Sequence, residues 1–471
     1  MSTAISSPPR TLGLPGLLAT LSALLLSVVS FAAVGIAVPD IGASLRASPA
    51  EQSLVVSVYS LGFAVPMVLG GRLGDLYGRR RLFLLGMVGF TLFSLMAALA
   101  PSVLVLIAAR ALTGVSAAAM VPQVLATITA STQGPERARA VALFGATAGG
   151  ATAIGQVLGG VLLSVPVLGA GWRMVFAVSV VMGAVAFLAA LRWVPATSSP
   201  GHRSLDLAGT VLLGSALLSL LVPLSQGAAL GWPAWCWALL VAVPVLFAAF
   251  WRRQLRLHSG DRVPLVPPPL FRLGSYRVGL VMALMLQSAF GAFTFLYALT
   301  TQTGLGWTPM HAALVLLPYA LCFFVVSVWS GSLAPRFGFR RLLIIGGVIQ
   351  AALLAITATS VSLQGLNSWT LAALLIGVGV GQAFMFGPLV GAMIADVPPA
   401  SAGAASGALQ TTQQAAMGLG VAVAGGLLAA VTVGSAAPAA ATYTTALAVC
   451  MIVQAAFAVA FALCALTLPR R

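Results

Sequence analysis

The sequence predicts an all-α integral membrane protein that crosses the bilayer about fourteen times. Three observations carry this: the composition, a regular succession of long apolar runs, and the placement of arginine. Of 471 residues, 60% are hydrophobic and only 6% charged, and the mean hydropathy is +1.07. Soluble domains carry about 25% charged residues, so most of this chain's surface has to face lipid. The net charge of +16 does not mark a nucleic-acid binder, because the basic residues are scattered through short connections rather than gathered on one face. All 23 are arginine, a bias to which no function is attached.

Other classes fall away for want of the residues they need. Cys236, Cys322, Cys450 and Cys464 lie in apolar runs, and His202, His258 and His311 lie in loops or at a helix end. None stands at metal-ligand spacing, so no metal and no cofactor is expected. Without lysine there is no phosphate-cradling loop for ATP, and no acidic cluster or histidine pair suggests an enzyme. The apolar run from Leu14 to Val38 is longer than the roughly 7–15 residues of a signal h-region, so it reads as a retained first helix.

A span takes about 20 mostly apolar residues. Helices are expected near 15–38, 52–71, 82–100, 102–124, 138–164, 173–194, 206–226 and 233–251. Six more are expected near 276–300, 309–334, 342–362, 369–394, 404–432 and 442–468. This divides the chain into a tail (1–14), a six-helix block (15–194), two inserted helices (206–251), a loop (252–275) and a second six-helix block (276–468). Arginine tests the count. With the N-terminus inside, twenty arginines fall in cytoplasmic segments and two, Arg46 and Arg173, fall outside, while Arg110 lies within a span. That asymmetry follows the positive-inside rule and makes both termini cytoplasmic.

The segment after the second helix reads Gly71-Arg-Leu73-Gly-Asp75-Leu-Tyr-Gly78-Arg79-Arg80-Arg81-Leu82. Gly331-Ser-Leu333-Ala-Pro335-Arg-Phe-Gly338-Phe-Arg340-Arg341-Leu342 repeats it at an offset of 260 residues, which makes the two blocks internal repeats. The first copy resembles the signature loop of the major facilitator superfamily. Arg110, Gly114, Ala118 and Pro122 resemble that family's second motif. Gly155-Gln156-Val-Leu-Gly159-Gly160 resembles its antiporter motif. Gly171-Trp172-Arg173, Asp206-Leu-Ala-Gly209 and Ser406-Gly-Ala-Leu-Gln410 resemble the fourteen-helix drug:proton antiporter-2 branch. The resemblance implies two six-helix bundles around a central cavity, residence in the bacterial inner membrane, and export of small amphipathic compounds by alternating access, with protons as the coupling ion. A monomer is expected. An importer, a facilitator, or a carrier of one metabolite or lipid remains the alternative.

Gly71 and Gly78 permit a tight turn and close backbone approach. Asp75, the acid amid Arg72, Arg79, Arg80 and Arg81, reads as a switch whose contacts exist in one access state, against a solvated loop that merely sets topology. Arg110 is a mid-bilayer cation and must point into the bundle. Its partner in many relatives is a carboxylate on the first helix, and here that place holds Ser30. No acid falls near the midplane, so proton coupling would have to use Asp40, Asp75 or Asp396, or be absent. An electropositive cavity suited to neutral or anionic amphiphiles is therefore expected. Gln156 replaces the antiporter motif's proline and is either a cavity group or bonded to a neighbouring helix. Tyr59, Gln287 and Gln410 complete the expected cavity residues.

Overall fold

The computed structural model describes residues 12–47, 49–164, 171–196, 206–227, 230–259, 264–364, 367–398, 401–432 and 440–469, apart from the side chains of some helical residues. Among the described residues fourteen α-helices account for the fold. The first block is α1 (Leu14–Leu45), α2 (Pro49–Tyr77), α3 (Arg79–Ala98), α4 (Val103–Ser131), α5 (Gly134–Ser164) and α6 (Arg173–Trp193). The insertion is α7 (Leu207–Gln226) and α8 (Ala234–His258). The second block is α9 (Gly274–Ala298), α10 (Pro309–Phe337), α11 (Phe339–Gln364), α12 (Ser368–Ile394), α13 (Ala402–Thr432) and α14 (Ala440–Leu466).

Packing repeats with the connectivity. In the first bundle α1 lies against α5 and α6, α4 against α2 and α3, and α3 against α6. Each pair recurs eight helices later, as α9 with α13 and α14, α12 with α10 and α11, and α11 with α14. The bundles meet along two pseudo-equivalent seams, α5 with α10 and α2 with α13. Twelve helices carry a long apolar run among the described residues, and α2 carries a shorter one at Leu54–Met67. Helices α2 and α13 pack on one another, and α7 packs on both, so the inserted helix lies over their seam.

Two expectations about helix ends are corrected. Pro39 does not end α1, which continues to Leu45. The Asp75 segment is not a loop: α2 runs through it to Tyr77, and Gly78 alone joins α2 to α3. Gly338 joins α10 to α11 in the same way, and the two glycines have φ of 99° and 79°, a region that favours residues without a Cβ. Gly71 is not the point of close approach: a Cβ added there would meet only Pro122, at an ordinary 3.9 Å. Gly62 and Gly70 take that part, pressed on the α4 backbone at Ala111 and Ala118. Arg10, Arg203, Asp261, Arg262, Arg470, Arg471 and the Asp75 side chain lie outside the described residues.

Several motif residues have structural duties. Arg79 donates to the carbonyl of Ala126 on α4 at 3.0 Å, and Arg80 to Leu191 on α6 at 2.5 Å. Both tie the start of α3 to carbonyls towards the C-terminal ends of neighbouring helices, where cations are favourable. Trp172 is buried, with the guanidinium of Arg173 stacked on it at 4.4 Å and donating to Ala100 at 2.9 Å. Asp206 caps α7 through the Gly209 N–H at 2.8 Å and accepts from Arg253 at 2.6 Å and Gln254 at 2.7 Å on α8. Burial opposes its ionisation, but the bonds from Arg253, Gln254 and Gly209 outweigh it and hold the carboxyl below its ordinary pKa.

Asp206→Ala should cost about 0.5–2 kcal/mol at neutral pH, the range for losing an N-cap, read as thermal unfolding in detergent. A depressed folded-state pKa makes the contribution complete above about pH 4 and lost as pH falls through the folded-state value. Wild type and variant should therefore converge in acid.

Candidate functional site

A cavity of about 680 Å³ lies between the bundles, bounded by α1, α2, α4 and α5 on one side and by α9, α10, α12, α13 and α14 on the other. It reaches Pro39, Gln52, Thr303 and Tyr443, towards the end of the molecule bearing Arg46 and Arg173. In the other direction it stops at Leu24, Phe63, Phe144 and Phe323, well short of the arginine-rich end. Access in this conformation is thus biased to the arginine-poor side.

Four expected residues line it: Tyr59, Gln156, Gln287 and Gln410. Gln156 and Gln410 are 7% and 6% exposed. The Oε1 of Gln156, the Nε2 of Gln410 and the Oε1 of Gln414 are buried without a hydrogen-bond partner among the described residues. The wall is otherwise aromatic. Tyr59 and Phe63 on α2 are matched by Tyr319 and Phe323 on α10, each 260 residues later. The carbonyl of Tyr59 meets Gly114 on α4, and that of Tyr319 meets Gly379 on α12 at 2.5 Å from where a Cβ would stand. Tyr319 donates to Gln382 at 2.8 Å, and Tyr59 shares a 2.6 Å bond with Ser27. Tyr319, Phe323 and Gln382 were not anticipated, although the offset of 260 was the signal that locates the first two.

Arg110 and Ser30 are not in the wall. Arg110 is fully buried behind Tyr59, its guanidinium 4.2 Å from the ring centroid. Its Nε donates to Val55 at 3.3 Å and Nη1 to Ser30 at 3.4 Å, while Nη2 finds no partner among the described residues. The positive charge expected in the cavity is therefore screened by a tyrosine ring. No Asp, Glu, His or Arg is among the described lining residues. Asp40 is exposed at the arginine-poor end of α1, next to the lining residue Pro39. Asp396 is half-buried just past α12, accepting from Ser275 at 2.9 Å. Asp75 falls in the last turn of α2, far from the cavity along the chain. The three acids are not brought together at the cavity.

The motif glycines of α5 hold the junction of both bundles. Gly155 and Gly159 lie on the α1 backbone at Val29 and Ala33, while Gly149 faces the Phe323 ring and Gly160 the start of α10. Small residues at such spacing let membrane helices approach closely.

The model of the Major Facilitator Superfamily matches residues 20–421. The chain belongs to that superfamily. This superfamily member is a transporter rather than an enzyme, a multi-pass protein of the bacterial inner membrane. It is 34% identical to a probable actinorhodin transporter of Streptomyces coelicolor, over 90% of this chain and 74% of that one. It is 35% identical to the cephamycin export protein of Amycolatopsis lactamdurans, over 84% and 81%, and 34% identical to the puromycin resistance protein of Streptomyces alboniger, over 87% and 80%. A crystal structure of the human organic anion transporter TETRAN matches with a TM-score of 0.66 over 98% of this chain and all of that one, at 16% identity; this likeness concerns the fold alone.

A methyl group at Gly155 meets the Val29 carbonyl at 2.7 Å, so Gly155→Ala should cost about 1–3 kcal/mol through overpacking. Gly149→Ala meets only the Phe323 ring, which has the cavity to move into. It should leave thermal stability near wild type while weakening ligand binding.

Proposed function

We propose that this chain exports small amphipathic compounds by alternating access, exchanging them for protons. The observation that carries the reading is the cavity itself. It is large enough for a drug-sized molecule, lies between two pseudo-equivalent bundles and extends to one end only. Rocking at the α5–α10 and α2–α13 seams would carry it to the other end. The names of its relatives, which include a cephamycin exporter and a puromycin resistance protein, support export of small molecules.

Coupling is the distinctive part. With no carboxylate among the described lining residues, protons would be carried by acids beyond the cavity: Asp40 at the outer mouth, Asp396 beside Ser275, or Asp75 in the last turn of α2. That same lack favours a second reading, a facilitator without proton coupling.

Everted vesicles with an acidified lumen separate the two. Under antiport, adding a transported compound should evoke proton release, and Asp40→Asn, Asp75→Asn or Asp396→Asn should abolish it at whichever position carries the proton. Labelled compound entering the lumen with no proton release from any compound would support the facilitator.

A further inference from the structure

We infer that the cavity selects uncharged, flat, polycyclic aromatic molecules bearing several hydroxyl and carbonyl groups, and discriminates against permanent cations of the same size. The inference deepens the export reading and rests on this cavity being the transport site.

Three observations converge. The first is the pair of aromatic walls. Phe31, Tyr59 and Phe63 stand in one cluster with ring centroids 6.0 Å apart, and Tyr319, Phe323 and Phe386 stand in another at 6.4 and 6.1 Å. One cluster belongs to each bundle and both line the cavity, so an aromatic ligand finds ring partners in either half.

The second is a set of cavity-wall amides with unmet hydrogen-bonding capacity. Buried polar atoms are almost always hydrogen-bonded, yet Gln156, Gln410 and Gln414 each leave one atom unpaired. A primary amide offers an acceptor and two donors, so phenolic hydroxyls and ring carbonyls are its natural complements.

The third is charge. No described lining residue is acidic, so a cation would lose its hydration without gaining an ion pair. Aromatic faces attract cations, but the best placed one, Tyr59, already carries Arg110 at 4.2 Å on its ring. A second cation on the cavity side of that ring meets a like charge directly behind it. An anion fares little better, because the Arg110 guanidinium bonds Val55 and Ser30 rather than reaching into the cavity.

The test is direct binding to the full chain in nanodiscs, with empty nanodiscs as the partition control. The probes are one tricyclic skeleton in four forms: 1,8-dihydroxyanthraquinone, its trimethylammonium derivative, its sulfonate derivative and plain anthracene. The dihydroxyquinone should bind at least about tenfold tighter than the cation. Gln156→Leu and Gln410→Leu should each weaken it by about tenfold, the scale of a lost hydrogen bond, while leaving anthracene unchanged. Each variant removes an amide with an unpaired buried atom, so thermal unfolding no lower than wild type is expected and serves as the folding control. Equal or tighter binding of the cation, or equal weakening of anthracene, overturns the inference. Failure of the whole series to bind while vesicles extrude other compounds also overturns it and leaves export standing. The expected binding order without energised transport would support the selectivity and count against export.

Discussion

Arg110 sits about two turns into α4 at zero exposure, with no carboxylate beside it among the described residues. A bare cation at that depth is costly, and the surroundings show what offsets the cost: the Val55 carbonyl, the Ser30 hydroxyl and the face of Tyr59. Those groups come from α2 and α1, so one charge requires three helices to stay in fixed register. Glycine makes that register attainable. Gly114 admits the Tyr59 carbonyl against α4, and Gly62 admits α4 against α2 at Ala111. Tyr59 is consequently both the lid on the charge and part of the cavity wall.

The second half solves the equivalent packing problem without a cation. Tyr319 is crossed by Gly379 as Tyr59 is by Gly114, but its hydroxyl goes to Gln382. The bundles are thus alike in backbone and unlike in what stands behind the tyrosine. Around this core, α5 wedges between α1 and α10 through its glycines, and α7 lies over the α2–α13 seam. The Asp206 clasp to Arg253 and Gln254 pins α7 to α8.

Most of the fold was legible in the sequence because lipid imposes simple rules. Long apolar runs and one-sided arginine located every helix, with ends displaced by a few residues wherever a helix outran its apolar stretch, as α2 does through Asp75 and α1 past Pro39. The cavity was legible in part. Tyr59, Gln156, Gln287 and Gln410 could be picked because polar residues in apolar helices stand out. Tyr319 and Phe323 were readable in principle, being displaced by 260 from Tyr59 and Phe63, but aromatic residues are common in such helices and the repeat shows most clearly in its glycines and arginines. The depth of Arg110 was not readable. Sequence gives its height in the bilayer, whereas its place behind Tyr59 depends on how closely α2 and α4 approach.

The central claim is that Arg110 is a sealed post behind the cavity wall and not a ligand-contacting group. Arginine modification with phenylglyoxal, mapped by mass spectrometry on the full chain in detergent, tests it directly. Arg110 should stay unmodified with or without ligand while Arg46 reacts, and should become reactive in Tyr59→Ala. Modification of wild-type Arg110 at the rate of Arg46, with protection by a transported compound, would contradict the claim.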